Sequence, residues 1–141
     1  YAQYTHATMD TIFKEEELAG SKKLEANVLA TMYFENNGKT FEARRLPVEA
    51  QFSPVYAIAA ADVDKDGDND VVMGGNESNV RVRIGKSDAN RGLILINDGQ
   101  GNFSCLHRSG LDVSGDVRGI VPIANQIIFG INGEEIRVFR F

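Results

Sequence analysis

Residues 57–73 read Ala57-Ile58-Ala59-Ala60-Ala61-Asp62-Val63-Asp64-Lys65-Asp66-Gly67-Asp68-Asn69-Asp70-Val71-Val72-Met73. Two short apolar runs flank nine residues that hold five aspartates and one lysine, a local net charge of −4 in a chain whose total is −5. Blocks of like charge repel and tend to stay disordered unless something neutralises them. Here the block is set between runs that read as strands, where disorder is a poor fit. A bound cation is the simplest compensation.

The spacing names the cation. Counting from Asp62, carboxylates fall at positions 1, 3, 5, 7 and 9, with Gly67 at position 6. Alternate residues of a tightly curled loop point inward, so Asp62, Asp64, Asp66 and Asp70 can converge on one point. Asp68, at position 7, is expected to coordinate through its main-chain carbonyl while its side chain faces water. Gly67 allows the sharp turn between them. Calcium, a hard cation wanting six to eight oxygens, suits this donor set. Magnesium prefers to retain its waters, and zinc would want His or Cys, which the loop lacks. An EF-hand would need a bidentate Glu at position 12 and helices on both sides; position 12 is Met73 and the flanks read as strands. A dockerin-type loop fails on the same position.

Outward from the loop, short β-rich runs alternate with turn residues. Val28 to Glu35 and Phe41 to Leu46 flank Asn36-Asn37-Gly38-Lys39, a hairpin whose Asn-Gly supplies the positive φ of a tight turn. Tyr56 to Ala61 and Val71 to Gly74 flank the acidic loop. Leu93 to Ile96 and Phe103 to Leu106 flank Asn97-Asp98-Gly99-Gln100-Gly101. Val117 to Ile123, Ile127 to Ile131 and Glu135 to Phe141 complete nine expected strands, with a further turn at Asn132-Gly133. Frequent turns of this kind indicate a sandwich, barrel or propeller. The two Asn-rich turns echo one another about sixty residues apart, the interval of a four-stranded blade repeat. Before residue 28 the pattern changes: Met9, Ile12 and Phe13 stand at helical spacing and Gly20 supplies a stop, so a helix is expected over 8–19. The chain therefore divides into an N-terminal helical segment, 1–27, and a β domain, 28–141.

Composition excludes several partners and chemistries. No apolar run approaches the ~20 residues of a membrane-spanning helix. The chain has no basic face to neutralise phosphates, so nucleic acid is not expected. Cys105 is the single cysteine and reads as a small buried apolar residue. It stands two positions from His107, close enough along a strand to share a face, yet neither His6 nor His107 has a convincing partner in sequence. No Gly-x-Ser-x-Gly, phosphate loop or His-Glu-x-x-His is present. The segment 76–91, with Arg81, Arg83, Lys86 and Arg91, is a long excursion between strands; it is a solvated loop or a recognition loop for an acidic partner.

The segments 60–74 and 95–103 together resemble one FG-GAP (VCBS-type) repeat, the propeller blade of integrin α-subunits and of many bacterial surface proteins. That resemblance implies calcium binding through Asp62, Asp64, Asp66, Asp68 and Asp70. The stretches 46–54 and 115–118 are similar to the C-terminal region of bacterial repeat proteins related to the cartilage-acidic-protein group, many of them exported, often as lipoproteins. The implied architecture is mainly β: part of a β-propeller, with one complete four-stranded blade over 56–106 and parts of two neighbours. One blade with two partial ones leaves sheet edges open, so self-association or further repeats of a longer parent chain are expected. The implied role is an extracytoplasmic, calcium-stabilised module that binds a protein or glycan and is not an enzyme. A glycan-active hydrolase, or an accessory domain of one, is the alternative.

Overall fold

The computed structural model describes residues 5–141, so the first four residues of the expected N-terminal segment lie outside it. The chain is mainly β. Among the described residues nine strands form three antiparallel sheets, none of which closes on itself. Strands β1 (Met32–Asn36) and β2 (Phe41–Arg45) make the first sheet. Strands β3 (Val55–Ala61), β4 (Asp70–Gly75), β5 (Leu93–Asn97) and β6 (Phe103–Cys105) make the second, in that order across the sheet. Strands β7 (Val117–Ile123), β8 (Gln126–Ile131) and β9 (Arg137–Arg140) make the third. Each sheet is a meander of consecutive strands, joined by short connections except between β4 and β5, where the chain makes the long 76–92 excursion.

The four-stranded sheet has cores on both faces, and strand alternation dictates which residue serves which. Along β4 and β5, Val72 and Ile94 join Val117, Ile120, Ile127 and Phe129 of the three-stranded sheet, while Met73, Leu93 and Leu95 join Leu46 and Ala50 on the opposite side. Gly74 sets how closely the third sheet approaches. A Cβ there would stand 2.6 Å from Val117 Cγ1, nearer than a methyl group can come. On the first sheet's side, Tyr33 meets Phe103 edge-on with ring centroids 5.2 Å apart. A 3-10 helix, Val48–Gln51, closes that core with Ala50, and the Gln51 side chain ties it to the start of β1 through Thr31 (2.7 and 3.1 Å).

Two expectations need correction. The single helix over 8–19 is two four-residue helices, α1 (Met9–Ile12) and α2 (Glu15–Leu18), interrupted where Phe13 adopts extended backbone. Neither buries a residue, so the apolar spacing has no partner surface to reward a continuous helix. The first strand starts at Met32 instead of Val28, and Val28 and Leu29 stay exposed because β2 offers them no pairing partner. No helix among the described residues is long and apolar enough to cross a membrane.

Candidate metal centre

The acidic loop leaves the sheet at Ala61 and rejoins it at Asp70, which face each other across β3 and β4. Lys65 (φ 68°) and Gly67 (φ 101°) curl it. Three backbone N–H groups inside the loop donate to its own carboxylates: Gly67 to Asp62 Oδ2 (3.2 Å), Asp66 to Asp64 Oδ1 (3.2 Å) and Asp68 to Asp66 Oδ1 (2.9 Å). Side chains of this kind commonly bond backbone one or two peptides on, and here they preorganise the turn.

Asp70 holds the loop to the sheet. It is fully buried, and both oxygens accept backbone N–H groups, Oδ2 from Val63 (2.9 Å) and Oδ1 from Asn97 (2.9 Å). Asn97 also donates its amide to Asn69 O (3.2 Å) and accepts from Gly99 N–H (3.2 Å), so it joins the acidic loop to the β5–β6 hairpin. Its part in the site was not foreseen from sequence. The only available signal was that the Asn97-to-Phe103 motif travels with the acidic loop in the resemblance.

Of the five expected ligands, the fold brings three together. One carboxylate oxygen each of Asp62, Asp64 and Asp70 lies within 4.8 Å of the other two. Asp66 and Asp68 are not part of that group; the Asp68 side chain lies against Gly99 of the neighbouring hairpin. Asp62 Oδ1 is buried and has no hydrogen-bond partner among the described residues. A buried carboxylate oxygen without a partner is costly, and a cation is the group that would satisfy it. The donors are all hard oxygens, and those of Asp70 retain lone pairs after accepting their N–H bonds, so the residues fit calcium.

The electrostatics agree in direction. Desolvation, together with the charges of Asp66, Asp70 and Asp62, raises the Asp64 carboxyl above its usual range, against a weaker lowering by the Asp66 N–H. Without metal, folded Asp64 thus holds its proton more tightly than unfolded Asp64. Its contribution to stability is greatest below the unfolded value and falls as pH rises through the raised one. In EDTA, the stability of the wild type relative to Asp64→Asn should therefore decrease as pH climbs from about 3.8 upward; with calcium the trend should invert. Paired thermal melts across that range check this, and parallel pH profiles in EDTA would contradict it. Asp98 and Asp116 act in the opposite sense. Asp98 is lowered by the Asn102 amide and by the Gln100 and Asn102 N–H groups, and its stabilisation is lost on acidification.

The 76–91 segment is tied down at its base. Asn76, buried and at φ 77°, donates to Asn90 O (2.7 Å) and Gly115 O (3.1 Å) and accepts from Asn90 N–H (2.9 Å). Desolvation pushes Asp116 up, but the Ser78 N–H and hydroxyl and the Arg118 and Lys86 charges outweigh it and leave the carboxyl below the usual range. Arg118 reaches Asn76 O and Glu77 (both 3.0 Å) while its guanidinium lies 4.1 Å over the Tyr56 ring. Arg91 is engaged by Asp112. The tip residues Arg81, Val82, Arg83, Ile84 and Lys86 remain exposed.

Cys105 is half-buried instead of fully enclosed, and His107 Nε2 lies 3.6 Å from Glu49 Oε1. Fold and site together define a mainly β protein with a preorganised acidic loop. No family model matches the chain, and no curated protein or solved structure matches it.

Proposed function

We propose that the chain is a calcium-binding β-repeat module of FG-GAP/VCBS type, structural and ligand-binding in role, and not an enzyme. The observation that carries the metal assignment is the Asp62–Asp64–Asp70 convergence, with its buried, unpartnered Asp62 oxygen. Asp62, Asp64 and Asp70 are the central ligands, with Asp66 and the Asp68 main chain completing the shell. An extracytoplasmic setting, on a bacterial surface or secreted, suits such a site, because extracellular calcium modules work at dissociation constants of about 10⁻⁴–10⁻³ M. At tenfold above that constant the ion adds roughly 1.4 kcal/mol of stability.

The propeller reading is supported by the way consecutive meander sheets stack in chain order about the four-stranded one. It also accounts for two exposed apolar faces: Tyr56 and Ile58 on β3, and Val121, Ile123 and Val138 on the third sheet. Further repeats, or a second copy, would cover them. The ligand, protein or glycan, is met by the loop tip, where Val82 is 99% and Ile84 76% exposed between basic residues; an acidic partner is the complement.

Calorimetric titration with calcium and thermal melting test the metal assignment together. Calcium should raise the melting temperature and EDTA lower it. Asp64→Ala should weaken calcium binding by about tenfold or more, and Asp68→Ala by much less, since charged ligand count sets affinity. A melt indifferent to both reagents would remove the assignment. Equal losses from the two variants would reject the division of roles.

A further inference from the structure

Glu49, Cys105 and His107 form a second cluster, sharing no residue with the acidic loop and built from different donors. Its placement follows from the sheet. The pairing of Cys105 with Leu95 puts the thiol on the side of the four-stranded sheet that carries Leu95 and Ala50. The Leu106 N–H donates to Ile94 O (2.9 Å), carrying the ladder one residue past β6, and His107 stands in the turn that follows, with its Nε2 turned to Glu49. Glu49 arrives from the 3-10 helix, fixed on one side by buried Ala50 and beyond it by Gln51 bonded to Thr31. Its side chain is only 24% exposed. One ligand atom from each residue lies within 4.8 Å of the other two, and Glu49 Oε1 is 3.6 Å from His107 Nε2.

We propose that these three side chains bind a single thiophilic divalent ion of the zinc class. Thiolate, imidazole and carboxylate are the three protein ligand types of zinc, at about 2.0–2.3 Å from the metal. Ligands at that reach lie roughly 3.3–3.8 Å from one another in a tetrahedron, so small side-chain rotations close the cluster. On binding, Cys105 Sγ–H releases its proton to solvent and the sulfur–metal bond forms. Thiolate and carboxylate then balance the ion's two charges, which removes the repulsion between Glu49 and the sulfur. Sulfur and imidazole donors disfavour calcium. Three protein ligands leave the fourth position open to water or to a donor from a bound molecule. An ordinary surface ion pair beside a packed cysteine is the competing account of the same contacts.

Cobalt(II) reads out the difference. The 141-residue chain, stripped of metal, reduced and supplied with calcium, is titrated with Co²⁺ and then Zn²⁺. One equivalent of Co²⁺ should produce a thiolate-to-cobalt charge-transfer band that Zn²⁺ displaces. Cys105→Ser should abolish the band. His107→Ala, at a largely exposed side chain, and Glu49→Gln should retain it with Co²⁺ affinity reduced about tenfold or more. Absence of the band in the wild type would overturn the proposal, as would Co²⁺ affinities for Cys105→Ser and His107→Ala equal to the wild-type value.

Discussion

Asp70→Ala is expected to lower the melting temperature by on the order of 10 °C, even in EDTA where no metal can be lost. Both carboxylate oxygens accept backbone N–H groups inside the protein, one from Val63 at the start of the loop and one from Asn97 in β5. Alanine would leave two half-buried donors without their partner, beside a side-chain position that is itself fully buried. Hydrogen bonds to charged groups contribute about 1.5–3 kcal/mol each, and a stranded buried donor costs about 1–3 kcal/mol. Allowing for non-additivity, a loss near 3 kcal/mol follows. Asp70→Asn should fare little better, because an amide has one carbonyl oxygen and would turn its NH₂ toward the second N–H. Asp68→Ala, at an exposed side chain, should stay within about 0.5 kcal/mol of the wild type. If Asp70→Ala melts with the wild type in EDTA, Asp70 does not clamp the loop and serves at most as a metal ligand.

That double role marks where sequence reading stops. The five aspartates were legible because their spacing is local and their charge is unmistakable. Their division of labour was not, because it depends on Asn97, which lies 27 positions beyond Asp70 and reaches the loop only once β4 and β5 pair. The strands were legible for the same local reason, through alternation and turn residues. The two Asn-rich turns form as expected, with Asp98 accepting from Gln100 and Asn102 (2.9 and 3.1 Å) and Asn37 from Lys39 and Thr40 (3.0 and 2.9 Å). Errors arose where local pattern lacked tertiary support. Met9, Ile12 and Phe13 have helical spacing but pack on nothing that would hold a continuous helix. Glu49 gave no sign of its neighbours, since Cys105 and His107 stand more than fifty residues away. Likewise Asp112 and Asp116, too sparse for a second acidic loop, anchor the 76–91 segment instead.

Phe129→Ala should reduce the free energy of unfolding by about 3–5 kcal/mol in a denaturant titration, the largest effect expected of any single core truncation here. Phe129 is fully buried, meets Phe139 edge-on at 5.7 Å, and belongs to the cluster that joins the third sheet to the four-stranded one. The cavity it would leave cannot readily collapse. Gly74 already lets Val117 press against β4, so the two sheets have no further approach to make, and the lost ring volume stays empty. Phe34→Ala and Phe41→Ala, at side chains more than half exposed, should by the same reasoning cost under about 1 kcal/mol. None of the clustered carboxylates Asp62, Asp64 and Asp70 belongs to that core, although Val63 of the loop packs on it, so the Phe129 loss should differ only modestly between calcium and EDTA. A loss below about 1 kcal/mol would mean that the third sheet is not held by this core. The stack of sheets, and with it the support for a blade-like arrangement, would then have to rest on polar contacts such as Asp116–Ser78, Arg118–Glu77, Arg118–Asn76 and Asn76–Gly115, with Arg118 over Tyr56.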